Sequence, residues 1–253
     1  MNEQNYKQRL ERFSSSLSEK LQTYREEKRR WDRFLSTDFN VVSEFIIINQ
    51  KYFRREDRLS DIIACLLNAN GSHGQQGKFL DAFLKRLYEK NIEQRPYFLK
   101  CLFEKKRPDR VAELSGKQPK VKREDPTDQR RRIDITVGFE GFEIGIENKP
   151  WTHESNDQLK DYYSHLKDKP ENEEFCLVFI TPNGTHPTTI CKPDDLIQKG
   201  ELYCLSYRSD ILEWLEECWQ LCESDRFRWF LRDFREYIRD EPFTFEENED
   251  ANE

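Results

Sequence analysis

No apolar stretch in this 253-residue sequence is long enough to cross a bilayer. The longest runs, such as Ile62 to Leu67, fall far short of the roughly 20 residues that a spanning helix needs. The opening residues, MNEQNYKQRL, lack the apolar centre of a signal peptide, so the expected location is the cytoplasm, with no membrane partner. C-x-x-C pairs are missing too. The cysteines, at 65, 101, 176, 191, 204, 218 and 222, are odd in number. Cys218 and Cys222 fall one helical turn apart with no matching His or Cys pair nearby, which argues against a zinc site and leaves buried, reduced thiols as the expectation. Internal repeats are absent, and so is the overall positive charge common in nucleic-acid binders: the net charge is −7.

What is present is bulk and charge. Only 36% of residues are apolar and another 36% are charged, but 18 Phe, 10 Tyr and 5 Trp supply core material that a disordered chain lacks. The length fits one domain with appendages: a body over 1–239 with a helical extension over 1–50, then an acidic tail over 240–253 that reads as disordered. The charge is segregated. The tail holds seven acids and no Lys or Arg, so the rest of the chain is neutral, whereas Lys100 to Arg132 holds twelve Lys/Arg against six Asp/Glu. Such a stretch is either a phosphate-contacting patch or a solvated loop.

Residues 6 to 35 place Tyr6, Leu10, Phe13, Leu17, Leu21, Tyr24, Trp31 and Leu35 at helical spacing, which predicts a long amphipathic helix. Further helices are expected at 40–50, at 55–68, stopped by Asn70-Gly71, and at 78–90. The Pro- and Lys-rich stretch 107–130 reads as a loop with at most one edge strand near 120–124. The period then changes to alternation. Strands are expected at 132–139, 142–149, 175–181 and 202–207, with helices at 155–166, 209–222 and 225–239. A mixed α/β architecture follows.

The segment RRIDITVGFEGFEIGIENK reads as two strands joined by Glu140-Gly141. A two-residue turn opposes Phe139 to Phe142, and that register puts Asp134 directly across from Glu147. Opposed residues have Cβ atoms roughly 5 Å apart, close enough for two carboxylates to grip one divalent cation. Alternation sends Ile133, Ile135, Val137, Phe139, Phe142, Ile144 and Ile146 to a core face. Asp134, Thr136, Gly138, Glu143, Gly145, Glu147 and Lys149 go to the other. Carboxylates that hold Mg²⁺ beside a lysine suit phosphodiester hydrolysis, which needs an activated water and relief of charge on phosphorus. An ordinary amphipathic hairpin with a solvated polar side shows the same pattern. Glu56, in line with Leu59, Ser60, Ile63 and Leu67 on its helix, points along the buried stripe and is a further metal candidate; the alternative is a first-turn acid that complements the helix dipole.

These residues resemble the PD-(D/E)XK nuclease superfamily, whose signature appears as Ile133-Asp134 followed by Glu147-Asn148-Lys149. The likeness is to the branch with an N-terminal helical region and an HG loop. It extends through Glu56 to Ser60, Leu66-Leu67-Asn68, Asn70 to Gly74 and Phe79-Leu80. It continues with Glu154, Gln158-Leu159-x-x-Tyr162, Phe179-Ile180-Thr181-Pro182, Ser206-Tyr207 and Trp214-Leu215, covering roughly 40 to 222. The resemblance implies a restriction-endonuclease-like fold, in which a mixed β-sheet core is flanked by helices, here with a long N-terminal helix and a C-terminal helical pair. It implies Mg²⁺ or Mn²⁺ held by Glu56, Asp134, Glu147 and the Asn148 carbonyl, Lys149 positioning water, and Gln158 supporting the site or contacting the phosphate backbone. Pro150, directly after the lysine, and the variable 100–132 region depart from that pattern.

A Mg²⁺-dependent endonuclease acting on DNA is therefore expected, RNA remaining open as substrate, in the prokaryotic defence or mobile-element settings where the fold recurs. The alternative class is a non-catalytic nucleic-acid-binding or regulatory protein that keeps the fold. His73 reads as a loop anchor before a catalytic base. His153 and Glu154 lie near the site mouth as contact candidates. Trp151, Tyr162 and Tyr163 suit either base stacking or packing. The apolar stripe of the first helix fits a homodimer or intramolecular packing equally.

Overall fold

The computed structural model describes residues 3–35, 42, 55–90, 92–104, 110–117, 119–241 and 243. The expected helix at 40–50 therefore lies outside the described residues apart from Val42, and so does most of the acidic tail. The elements are α1 (Glu3–Leu35), α2 (Arg55–Leu67), α3 (Lys78–Glu89), α4 (Tyr97–Phe103), α5 (Arg110–Gly116), β1 (Lys120–Pro126), β2 (Arg132–Phe139) and β3 (Gly141–Asn148). They continue with α6 (Gln158–Asp168), β4 (Asn172–Thr181), α7 (Pro193–Gln198), β5 (Leu202–Ser206), a π-helical turn (Tyr207–Ile211), α8 (Leu212–Leu221) and α9 (Asp225–Asp240).

The strands form one mixed sheet in the order β1-β2-β3-β4-β5. The first three run antiparallel; β4 and β5 run parallel to β3. Phe139 pairs with Phe142, so the register expected from the turn holds, and Gly141 takes the left-handed conformation, φ 73°, that the reversal requires. On one face Ile135, Val137, Phe142, Ile144 and Ile146 pack with α2, α3, α8 and α9 residues such as Leu59, Phe83, Trp214 and Phe234. On the other, Leu177, Phe179 and Leu202 pack with Leu159, Tyr162 and Leu166 of α6.

The second face decides against the alternative of an ordinary hairpin with a solvated polar side. That side is not solvated: Thr136, Glu143 and Glu147 are all buried. Gly145 explains how. A Cβ there would meet Leu166 Cδ1 at 2.7 Å, so the missing side chain lets α6 lie against the sheet. Glu143 is neutralised there by Lys169 at 2.6 Å. Ile133 also departs from expectation and joins the α6 layer, not the layer of Ile135. Regular pairing lapses beside it: Glu124 takes a left-handed φ of 51° and Asp134 is skipped in both ladders.

The 107–130 stretch is more ordered than expected. Leu114, fully buried, fixes α5 in the core, and Arg110 grips Asp81 through two hydrogen bonds. Strand β1 runs on to Pro126. The short helices α4 and α7 escaped the sequence reading because neither spans two full turns of apolar period. The thiols are all free, but Cys65 and Cys191 are exposed, against the expectation of burial. Along α1 the stripe of Phe13, Leu17, Leu21 and Tyr24 faces outward. No helix among the described residues is long and apolar enough to cross a membrane.

Candidate active site

Three elements meet where β3 ends: the first turn of α2, the end of the β2–β3 hairpin and the first turn of α6. Asp134 no longer pairs as a regular strand residue; its Oδ2 instead accepts the Asn148 amide hydrogen at 2.8 Å, which draws its carboxylate across to β3. Glu147, across from it, has no exposed surface. Its Oε1 takes hydrogen bonds from Gln158 Nε2 at 2.6 Å and from Lys149 Nζ at 3.0 Å, and its Oε2 is buried without a partner. Lys149 Nζ also stands 3.7 Å from Glu56 Oε2. Glu56 therefore points inward from α2, as its place in the Leu59, Ser60, Ile63 and Leu67 stripe indicates, and the structure brings Glu56, Asp134, Glu147, Asn148, Lys149 and Gln158 together.

Electrostatics follow from this crowding. Burial raises the Asp134 carboxyl to about 6 against the Asn148 hydrogen bond and the Lys149 charge, which pull it down. Glu147 is pushed well up, first by burial and then by Asp134. Burial alone would discharge Lys149, but Glu147, Glu56 and Asp134 outweigh it and hold the amine above its ordinary value. Among these carboxylates the amine is favoured as a cation, which suits charge screening and hydrogen-bond donation.

Second-layer contacts, most of them invisible in the sequence, set these groups. Thr152 Oγ1 donates to Glu56 Oε1 at 2.6 Å; no pattern pointed to it. Asn148 is locked at both ends, its Nδ2 donating to Ser60 Oγ at 3.0 Å and its Oδ1 accepting from Tyr207 Oη at 2.7 Å. Ser60 carried a signal, a polar residue within a buried helical stripe. Gln158 opens α6, accepting from the Ser155 amide and donating to Tyr162 Oη as well as to Glu147. Arg123 of β1 donates to the backbone oxygens of Asp134 and Asp57 and to the Asp61 carboxylate, which ties β1 to α2 behind the site.

Other candidates fall into place as packing. His73 Nε2 bonds the Asn68 carbonyl oxygen and Nδ1 accepts from the Gln75 amide, so the imidazole anchors its own loop away from the carboxylates. Trp151 and Tyr162 are buried, and Tyr163 packs edge-on to Phe175. Glu154 accepts from the backbone amides and hydroxyls of Thr188 and Thr189 and so ties two loops together. His153 is exposed. Much of the basic stretch is spent internally, Arg110 on Asp81, Arg123 on Asp61, Lys122 on Asp125 and Arg131 on Asp161; Lys120, Arg130 and Arg132 remain on the surface.

The donor set fits a divalent cation. Among the described residues no three His, Cys, Asp or Glu side chains already converge as a finished cation site, and the Lys149 ammonium stands against Glu147 and Glu56. A wholly buried carboxylate oxygen with no partner, beside a second acid of raised pKa, is nevertheless a charge deficit that hard-cation binding relieves. Searches of curated proteins and of solved structures returned no match. A family model described as the PD-(D/E)XK nuclease superfamily matches residues 45–249. That span includes Glu56, Asp134, Glu147 and Lys149, on a five-stranded mixed sheet flanked by helices, and the chain belongs to the PD-(D/E)XK nuclease superfamily.

Proposed function

We propose that the protein is a metal-dependent deoxyribonuclease, an endonuclease that hydrolyses phosphodiester bonds of DNA with Mg²⁺ or Mn²⁺ held by Glu56, Asp134, Glu147 and the Asn148 carbonyl. The observation that carries this reading is the buried, unpartnered Oε2 of Glu147 beside Asp134 and the Lys149 ammonium. When bound, the cation supplies an activated water and neutralises charge that develops at phosphorus. The chain's own groups do the remainder. Lys149, 3.0 Å from Glu147 Oε1, donates hydrogen bonds to the attacking water or to a phosphate oxygen. Gln158 fixes the Glu147 carboxylate, Thr152 fixes Glu56, and the Asn148 amide fixes Asp134, so that the acids keep their geometry against their mutual repulsion. Defence against mobile elements, or carriage by them, is the setting the superfamily favours.

A plasmid-nicking assay with Mg²⁺ or Mn²⁺ tests the reading. Wild-type protein is expected to nick and a chelator to abolish nicking, with Asp134→Ala and Lys149→Ala each slower by about 100-fold or more. A wild-type chain that binds DNA and never cuts it, or cutting that survives in both variants, sinks the proposal and leaves a binding module with the nuclease fold.

A further inference from the structure

On the far end of α9 from the carboxylates, Trp219, Asp225, Arg228, Trp229 and Arg232 line a cavity of about 290 Å³. The inner stripe of α9 is Leu231, Phe234, Tyr237 and Ile238, and Trp229 faces away from it with 55% of its surface exposed. An indole on the outer face of a helix costs hydration without stabilising the core. It is not alone: the Arg232 guanidinium lies over the Trp229 ring, 4.2 Å from its centroid, and Arg235 lies over Trp219 at 5.5 Å. Arg228 is fixed by the Cys222 carbonyl oxygen and Asp225, and Arg232 by Asp233. Side chains that usually sweep through solvent are thus held as flat, cationic stacking surfaces around a hollow.

We propose that this cavity is a second nucleic-acid subsite, one that takes a base and its phosphate from a single-stranded stretch of the substrate. The inference rests on the nuclease reading and extends it. The chemistry matches on three counts. Indole and guanidinium planes accept any base by stacking. Arg228 and Arg232 donate to phosphate oxygens, and the Asp225 carboxylate at the rim accepts from an exocyclic amino group. The exposed Arg226 adds charge beside the cavity. Placement matches as well. From Trp229 to Asp240 the helix rises about 16 Å, and three residues later Phe243 packs on Trp151, ring centroids 5.4 Å apart, two positions from Lys149. Helix α9 therefore leads from the cavity toward the segment that carries Lys149, and its own rise matches about five nucleotides of stacked strand.

Fluorescence anisotropy in chelator with the full chain, a labelled single-stranded oligonucleotide of about 20 nucleotides and the matching duplex tests this apart from cleavage. Trp229→Ala is expected to weaken single-strand binding about tenfold and to leave duplex binding within about twofold. Trp229→Phe, which keeps a stacking ring, is expected to retain the affinity while reducing the quenching of tryptophan emission that dAMP causes in the wild type, Trp219 of the same cavity keeping the rest. Unchanged single-strand affinity in Trp229→Ala overturns the subsite and leaves the nuclease reading standing. A wild-type chain that binds neither probe overturns both.

Discussion

At the scale of residues, the candidate site is a set of buried acids whose charges are costly and which, on the proposed reading, a cation relieves. The Asp134 carboxyl sits at about 6 in place of its ordinary 3.8. Between those values the folded chain binds more protons than the unfolded chain, so this group makes the metal-free protein lose stability as pH rises from about 4 through 6. Thermal melts in chelator are expected to show that decline in the wild type and to flatten in Asp134→Asn. Because bound carboxylates must be deprotonated, Mn²⁺ affinity is expected to rise across the same window, which titration calorimetry at two pH values measures. Lys149 acts in the opposite sense as the counter-charge for a fully buried acid. Lys149→Ala leaves Glu147 unpaired and is expected to cost about 3 kcal/mol of stability in chelator, partly restored by Mn²⁺; a melt unchanged from wild type contradicts the described ion pair.

At the scale of elements, a single glycine decides whether α6 reaches the sheet. Gly145→Ala sets a Cβ 2.7 Å from Leu166 Cδ1 and is expected to cost about 1–3 kcal/mol, which lowers the melting midpoint by several degrees; an unshifted midpoint would mean that α6 does not press on β3 as described. The hairpin register was legible because a two-residue turn leaves one pairing, and Glu56 was legible because a carboxylate in an apolar stripe needs a reason. The covering of the Glu143, Gly145 and Glu147 face was not legible. Alternating polar and apolar residues look the same whether the polar side meets water or meets Lys169, Leu166 and Gln158 from a helix further along the chain. Thr152 was invisible for a related reason: its hydrogen bond to Glu56 joins positions 96 residues apart, and nothing local marks it.

At the scale of the whole molecule, Phe243, the last residue described, packs beside the site. Phe243, almost fully buried, stacks on Tyr207 with ring centroids 4.6 Å apart, and Tyr207 holds Asn148. A truncation at residue 240 thus removes a core side chain along with the acids. Removing only 244–253 takes away five acids and no base. That variant is expected to bind nucleic acid several-fold more tightly at low salt, with the gap closing near 0.5 M salt; equal affinity at every salt concentration would mean that the tail's charge plays no part in binding.

Crystals soaked in Mn²⁺ and measured for anomalous scattering test the central claim most directly. The account predicts a peak bound by Asp134, Glu147 and Glu56 beside Lys149. A map with no peak there under conditions in which the protein cleaves DNA, or a peak bound by other residues, would contradict it.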